Sequence, residues 1–244
     1  MGYAPGASLG LPRSAMTATP YILLDDSLSQ GGASLLYEAP ERVIVAWEPG
    51  EVEAALAAIE AGLAKGLHAA GFFAYELGYC LEPKLRDLMP KDRNQPLLWV
   101  GLCREPRRLD DAAVKAWLED NGANDRSILS DLKLSWSRGD YMSAFDKVQD
   151  YIAAGDVYQI NLTLKYRFAF QGNPIALYAA LRRKQRVAYG GLIGTPDFHV
   201  LSLSPELFFR REGKRMFARP MKGTAPRGKN SSEDARLKTC LTMD

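Results

Sequence analysis

From Gln159 to Phe170 the residues alternate without interruption. Ile160, Leu162, Leu164, Tyr166, Phe168 and Phe170 fall on one side, and Gln159, Asn161, Thr163, Lys165 and Arg167 on the other. Successive side chains of a strand point to opposite faces, so this period predicts a strand with one face for a core and one polar face. A slip of one residue would carry every apolar side chain into water, which makes this the stretch that most restricts how the chain can fold. The polar face carries amide and hydroxyl groups that suit a ligand as well as solvent.

The flanking sequence reads as helices and strands in alternation. Tyr141, Phe145, Val148 and Ile152 fall on one helical face. Ser137 and Asp140 have capping-box spacing before that face, and Gly155 follows it. A second helix follows Pro49-Gly50, with Val52, Leu56, Ile59 and Leu63 on one face and Gly66 as its stop. Asn173-Pro174 starts a third, through Gln185, and Ser231 with Asp234 could cap a last one. Strands are predicted at residues 34–37, 42–47, 71–75, 97–102 and 198–203, and a hairpin at 207–218 turning near Glu212-Gly213. Residues 83–96 read as a loop. Residues 104–135 read as a weakly patterned connection with a short helix at 110–119. The expected organisation is a Gly/Ala/Pro/Ser-rich, disordered segment at 1–19, a sub-domain at 20–135 and a second at 136–244.

Composition narrows the function. With 244 residues, 47% hydrophobic and 25% charged, the chain is long enough to bury a sizeable core. A net charge of +2 without a basic stripe argues against nucleic acid. Cys80, Cys103 and Cys240 lie far apart with no CxxC spacing, which argues against zinc or a redox pair and fits a reducing cytoplasm. His68 and His199 are isolated, so a histidine metal site or Ser-His triad is not expected. No run approaches the ~18 apolar residues of a membrane span. Asp25-Asp26 and Asp110-Asp111 read as surface pairs, and Lys84, Arg86, Lys91 and Arg93 as a solvated face.

Three polar elements remain as candidates for chemistry. They are Asp156-Val157-Tyr158-Gln159, Ser204-Pro205-Glu206, and the loop Arg219-Pro220-Met221-Lys222-Gly223-Thr224-Ala225-Pro226-Arg227-Gly228. Gly223 lets the backbone approach a ligand closely, and Pro220 and Pro226 stiffen the loop's entry and exit. An unperturbed lysine titrates near ~10.4 and is protonated at neutral pH. Burial and nearby positive charge, which Arg219 and Arg227 could supply, would free its amine as a nucleophile. Read alone, the loop fits a solvated basic turn equally well.

In this order the three elements resemble the chorismate-utilising enzyme family, which includes anthranilate, aminodeoxychorismate, isochorismate and salicylate synthases. The matching stretches are Gly155-Asp156-Val157-Tyr158-Gln159-Ile160-Asn161-Leu162, Ser202-Leu203-Ser204-Pro205-Glu206-Leu207-Phe208-Phe209 and the lysine loop, with Ala70 to Tyr79 adding to them. The resemblance implies a four-layer α/β/β/α sandwich of two mostly antiparallel sheets. In the aminodeoxychorismate branch the loop reads Pro-Ile-Lys-Gly-Thr and its lysine is the nucleophile, whereas anthranilate synthases usually carry alanine there. Lys222 therefore points to the former, as component I of a folate-branch synthase. Water-using members carry a general-base lysine where this chain has Gln159, so Gln159 argues for ammonia.

The resemblance further implies that Lys222 forms a covalent intermediate, with Gly223, Thr224, Gln159 and Glu206 binding substrate. A glutamine amidotransferase subunit would supply ammonia. Mg²⁺ would be held by glutamates downstream of residue 244, so the chain reads as an N-terminal piece that is inactive alone. Relatives that bind tryptophan carry an Asn-Pro-x-Pro-Tyr/Phe segment where this chain has Arg186 to Gly191, so a tryptophan pocket is not expected. Anthranilate synthase component I, or a non-catalytic binder of a carboxylate ligand on the same fold, are the alternatives.

Overall fold

A computed structural model describes residues 19–29, 31–219 and 226–243. The segment expected to be disordered, 1–19, lies outside the described residues except for residue 19. The fold is mixed α/β, and every strand pairing among the described residues is antiparallel. The chain divides into two compact units, one of residues 1–114 with 185–244 and one of residues 115–184.

In the first unit, β1 (Tyr21–Asp25), β2 (Ser34–Glu38), β6 (Arg107–Leu109), β9 (Tyr189–Gly194) and β10 (His199–Ser204) form a sheet in the order β10-β9-β1-β2-β6. A second sheet has β5 (Leu98–Cys103) between β3 (Arg42–Ala46) and β4 (His68–Phe73). All six residues of β5 are buried, and alternation explains why. Leu98, Val100 and Leu102 join Val52, Ala55 and Ile59 of α1 (Val52–Ala64) in one core. Trp99 and Cys103 join Ile22, Tyr37 and Ile193 of the five-stranded sheet in another. The two sheets thus stack face to face, with α1 on the outer side of the smaller one. Gly101 lets them approach, since a Cβ there would lie 2.9 Å from Pro40 and 3.3 Å from Ile22.

The predicted face of α1 is rotated by a fraction of a turn. Val52, Ala55, Ile59 and Gly62 are the buried positions, and Leu63 is exposed. A Cβ on Gly62 would come within 2.4 Å of Leu102, so the helix comes nearest the sheet where it has no side chain. Gly66, at φ 82°, closes the helix as expected.

Two further expectations fail in this unit. Residues 83–96 are not all loop: after α2 (Leu77–Leu81), Pro83–Leu88 forms a 3-10 helix. Arg93 is not on a solvated face. Its guanidinium is largely buried, donating to the carbonyls of Trp47 at 2.7 Å and Pro90 at 2.9 Å, with Glu48 at 3.7 Å.

The second unit takes in most of α3 (Asp111–Asp120), then β7 (Ser127–Leu134), α4 (Arg138–Ala154), β8 (Tyr166–Gly172) and α5 (Pro174–Lys184). Its buried side chains come chiefly from α3 and α5, among them Trp117, Leu118, Ile175 and Tyr178. The cap signals are realised. Ser137 and Asp140 form a reciprocal capping box on α4, and Gly155 closes it in the left-handed conformation at φ 78°. Asn173 accepts the Ile175 N–H through its side-chain oxygen and donates to Asp125 at 2.9 Å.

The long alternating strand is shorter than its pattern, and its apolar face is not a core. Regular pairing starts at Tyr166, opposite Leu134. One residue earlier, Lys165 N–H bonds to Ser135 Oγ and Ser135 N–H to the Lys165 carbonyl, and residues 157–165 form no strand. A strand requires a ladder partner, and β7 supplies one only to this point. β7 itself lies in the stretch read as a connection.

Candidate functional site

The Ser-Pro-Glu element and the entry to the lysine loop come together in the first unit. β10 ends at Ser204 and β11 (Leu207–Glu212) begins three residues later. The break is held by Ser204, whose hydroxyl donates to the Glu206 carbonyl at 3.1 Å and accepts the Glu206 N–H at 3.2 Å. β11 pairs with β12 (Arg215–Arg219) around Gly213, at φ 59°, which supplies the left-handed turn. The register sets Leu207 opposite Arg219, so the chain leaves the hairpin for the loop beside Glu206. An open groove of about 350 Å³ lies there, lined by Ser204, Glu206, Leu207, Phe208 and Ala218. Lys222, Gly223 and Thr224 lie outside the described residues.

Where the loop returns, Arg227 does not act as a spare cation. Its guanidinium forms a two-point bond with Asp234, at 2.7 Å through each of Nε and Nη2. The Gly228 N–H reaches the same carboxylate at 2.8 Å. The Arg227 side chain, then the Gly228 N–H, hold the Asp234 carboxyl below its usual range. Paired charges of this kind fix geometry more than they raise stability when exposed. Their effect is to pin the loop's exit to the first turns of α6 (Ser231–Met243). The cap of α6 is Asn230, whose side chain accepts the Glu233 N–H at 2.9 Å, not Ser231 or Asp234 as the spacing suggested.

Gln159 belongs to the other unit. It is exposed, in the irregular stretch between α4 and β8. The structure thus brings Glu206 to the lysine loop's entry. Among the described residues no group of three or more His, Cys, Asp or Glu side chains could hold a metal ion, so none of them is assigned to magnesium. Nor is any helix among them long and apolar enough to cross a membrane.

One polar cluster escaped the sequence reading. Asp25, expected in a surface pair, is buried at the end of β1 and accepts the Ser34 hydroxyl at 3.1 Å. Next to it Ser27 is also buried. Its hydroxyl donates to the Val187 carbonyl at 3.1 Å and accepts the Val187 N–H at 3.0 Å, and Arg186 Nε donates to its carbonyl. This ties the end of β1 to the approach to β9. No local signal links residues 160 positions apart, so only the fold could reveal it.

The model of the family described as chorismate binding enzyme matches residues 29–244. Anthranilate synthase component 1 of Thermus thermophilus is 39% identical over 109 residues, 45% of this chain and 24% of that protein. Aminodeoxychorismate synthase component 1 of Bacillus subtilis is 37% identical over 97 residues, 40% of this chain and 21% of that protein. The Escherichia coli aminodeoxychorismate synthase component 1 is 28% identical over 184 residues, 69% of this chain and 40% of that protein. The chain thus spans less than half the length of each of these relatives. With the match running over 29–244, the chain belongs to the chorismate binding enzyme family.

Proposed function

We propose that the chain is part of component I of an aminodeoxychorismate synthase, with its chorismate-binding part at residues 136–244 of a four-layer sandwich. The observation that carries this reading is Lys222 itself, set between Pro220 and Gly223-Thr224 in a chain of this family. Aminodeoxychorismate synthases of Bacillus subtilis and Escherichia coli are among the relatives, as this reading requires.

In this reading the neutral Lys222 amine adds at C2 of chorismate, both ring double bonds shift by one position, and the C4 hydroxyl leaves as water with the proton the amine gives up. Ammonia then attacks C4, both double bonds shift back, and Lys222 is expelled as the amine with a proton that the ammonia gives up, giving 4-amino-4-deoxychorismate. Splitting one displacement into two is the usual gain of covalent catalysis. Thr224 and the Gly223 backbone would hold the substrate, Glu206 would line its groove, and Gln159, unable to deprotonate water, would leave ammonia as the nucleophile. A glutamine amidotransferase would deliver that ammonia. Magnesium, for which the described residues offer no cluster, would be held by carboxylates of the whole synthase outside this sequence.

The test is Lys222→Ala in the whole synthase, given chorismate, Mg²⁺ and ammonium. Aminodeoxychorismate formation is expected to fall at least ~100-fold, and peptide mapping of the unaltered enzyme without ammonia should find a chorismate-derived adduct on Lys222. Undiminished synthesis in the variant would overturn the nucleophile. Residues 1–244 alone are expected to show no turnover. A second reading, anthranilate synthase component I, is favoured by the 39% identity to the Thermus protein. It predicts anthranilate fluorescence from the same unaltered enzyme.

A further inference from the structure

The exit of the lysine loop is fastened more closely than the start of a helix requires. A helix leaves its first amides unpaired, and a cap residue supplies one or two acceptors for them. In α6 Asn230 does this, its side chain accepting the Glu233 N–H and its carbonyl the Asp234 N–H, each at 2.9 Å. Two acidic side chains of the helix then reach back past the cap. Glu233 accepts the Lys229 N–H at 2.8 Å. Asp234 accepts the Gly228 N–H and both Nε and Nη2 of Arg227. Residues 227, 228 and 229 are thus each held by a carboxylate on the helix. The approach is as close as the bonding, since a Cβ on Gly228 would lie 2.2 Å from the Asp234 nitrogen. The Arg227 side chain is 89% exposed, so the pair adds little stability. What a two-point bond does fix is direction, because both carboxylate oxygens must be met at once.

We propose that Asp234 is a positioning residue for Lys222, acting through Arg227 and the Gly228 backbone to fix where the lysine-bearing segment rejoins the fold. Arg227 follows Lys222 by five positions, and Arg219, set opposite Leu207 in the β11–β12 ladder, precedes it by three. Chain this short spans at most about 18 Å on the longer side, so a shift at either end is carried towards the lysine. A nucleophile misplaced by about 1 Å can lose about 100-fold in rate. Asp234 therefore contributes to the reaction out of proportion to its contribution to stability. This rests on the reading of Lys222 as the nucleophile.

The experiment compares Asp234→Asn with Glu41→Gln in the whole synthase, given chorismate, Mg²⁺ and ammonium. Asparagine keeps the shape and one acceptor but loses the charge and the two-point bond. Glu41→Gln breaks an ion pair with Arg104, beside β3 and β5, that is similarly exposed. Asp234→Asn is expected to lower kcat at least ~10-fold, with the KM for chorismate changed less than ~2-fold. Without ammonia, the chorismate-derived adduct on Lys222 should form more slowly by the same factor. Gly228→Ala should do the same by displacing the segment. Glu41→Gln should leave turnover unchanged, and it and Asp234→Asn should keep the urea midpoint of the unaltered protein. Unchanged kcat in Asp234→Asn overturns the proposal. So does a raised KM at unchanged kcat, which would make the pair part of substrate binding. A lower kcat with adduct formed at the normal rate overturns it by placing the pair at the ammonia step, and a fall in kcat matched by an equal loss of folded protein overturns it as a structural effect. Lys222→Ala, measured alongside, separates the two ideas. Undiminished synthesis there overturns the nucleophile and this proposal with it, whereas loss there and none in Asp234→Asn overturns this proposal alone.

Discussion

β5 and β7 are both antiparallel strands, and both carry leucines on one face. β5 is buried at every position and β7 at none. Leucine content does not separate them, since Leu98 and Leu129 are the same side chain in the same kind of backbone. What separates them is place. Among the described residues β5 has a strand on each side and a packed layer on each face, whereas β7 has one strand beside it and exposed apolar side chains. The first unit is therefore held by burial, and α4 and β7–β8 of the second rely on local devices such as caps and turns. Leu98→Ala should cost about 2–5 kcal/mol, because it removes transfer energy and leaves a cavity between α1 and the sheet. Leu129→Ala should stay within about 0.5 kcal/mol. Urea unfolding followed by Trp99 fluorescence for the first, and by hydrogen exchange of β7–β8 amides for the second, measures both. Equal losses would erase the distinction.

A smaller effect tests whether burial in the first unit extends to its polar groups. Ser27→Ala removes the hydroxyl that both donates to and accepts from Val187. The Val187 amide would then lose its acceptor in a buried site, at about 1–3 kcal/mol, while the Val187 carbonyl keeps the Ser27 N–H at 3.0 Å. Ser29→Ala, two residues away and exposed, removes only a hydroxyl bond to the Asp26 carboxylate and should stay within about 0.5 kcal/mol. Loss from both substitutions alike would mean that the segment, and not the buried bond, carries the effect.

What could be read in the sequence follows the same division. Ser137, Gly155, Asn173-Pro174 and Gly213 were legible because each acts on residues within a few positions of itself. The closeness of Glu206 to the loop's entry was legible as well, since a short hairpin joins them. β7 was hidden by Ser130 and Asp131. Asp131 takes φ 53° at an irregularity in the ladder, and the apolar period breaks there. Alternation from Gln159 overstated β8, because pattern records which face a side chain would take and not whether a partner strand is present. The pairing of Arg227, expected only to supply positive charge, is not legible, since nothing in the spacing links it to Asp234 seven residues on. Leu63 failed for a packing reason, the close approach at Gly62 having turned the helix.

The smallest effect belongs to the locally held unit and has a pH signature. The Ser137 hydroxyl donates to Asp140 at 2.7 Å, its N–H does so at 3.1 Å, and the Asp140 N–H returns to the hydroxyl at 3.2 Å. The Ser137 hydroxyl first, and its backbone N–H second, hold the Asp140 carboxyl below its ordinary value of 3.8. The folded state thus favours the ionised form. That contribution to α4 is fully present above pH 3.8 and is lost as pH falls through the lower, folded value. Ser137→Ala removes the hydroxyl and should destabilise α4 by about 1 kcal/mol near neutral pH, as loss of an N-cap does. It should also raise the Asp140 titration, read by carboxyl carbon NMR, towards 3.8 and flatten the acid loss of helix exchange protection. If Asp140 titrated identically in both proteins, the capping box would not be what holds this helix end. The contrast with β5 sharpens if the variant loses protection in α4 alone, because a helix with no buried residue has little besides its caps to hold its ends.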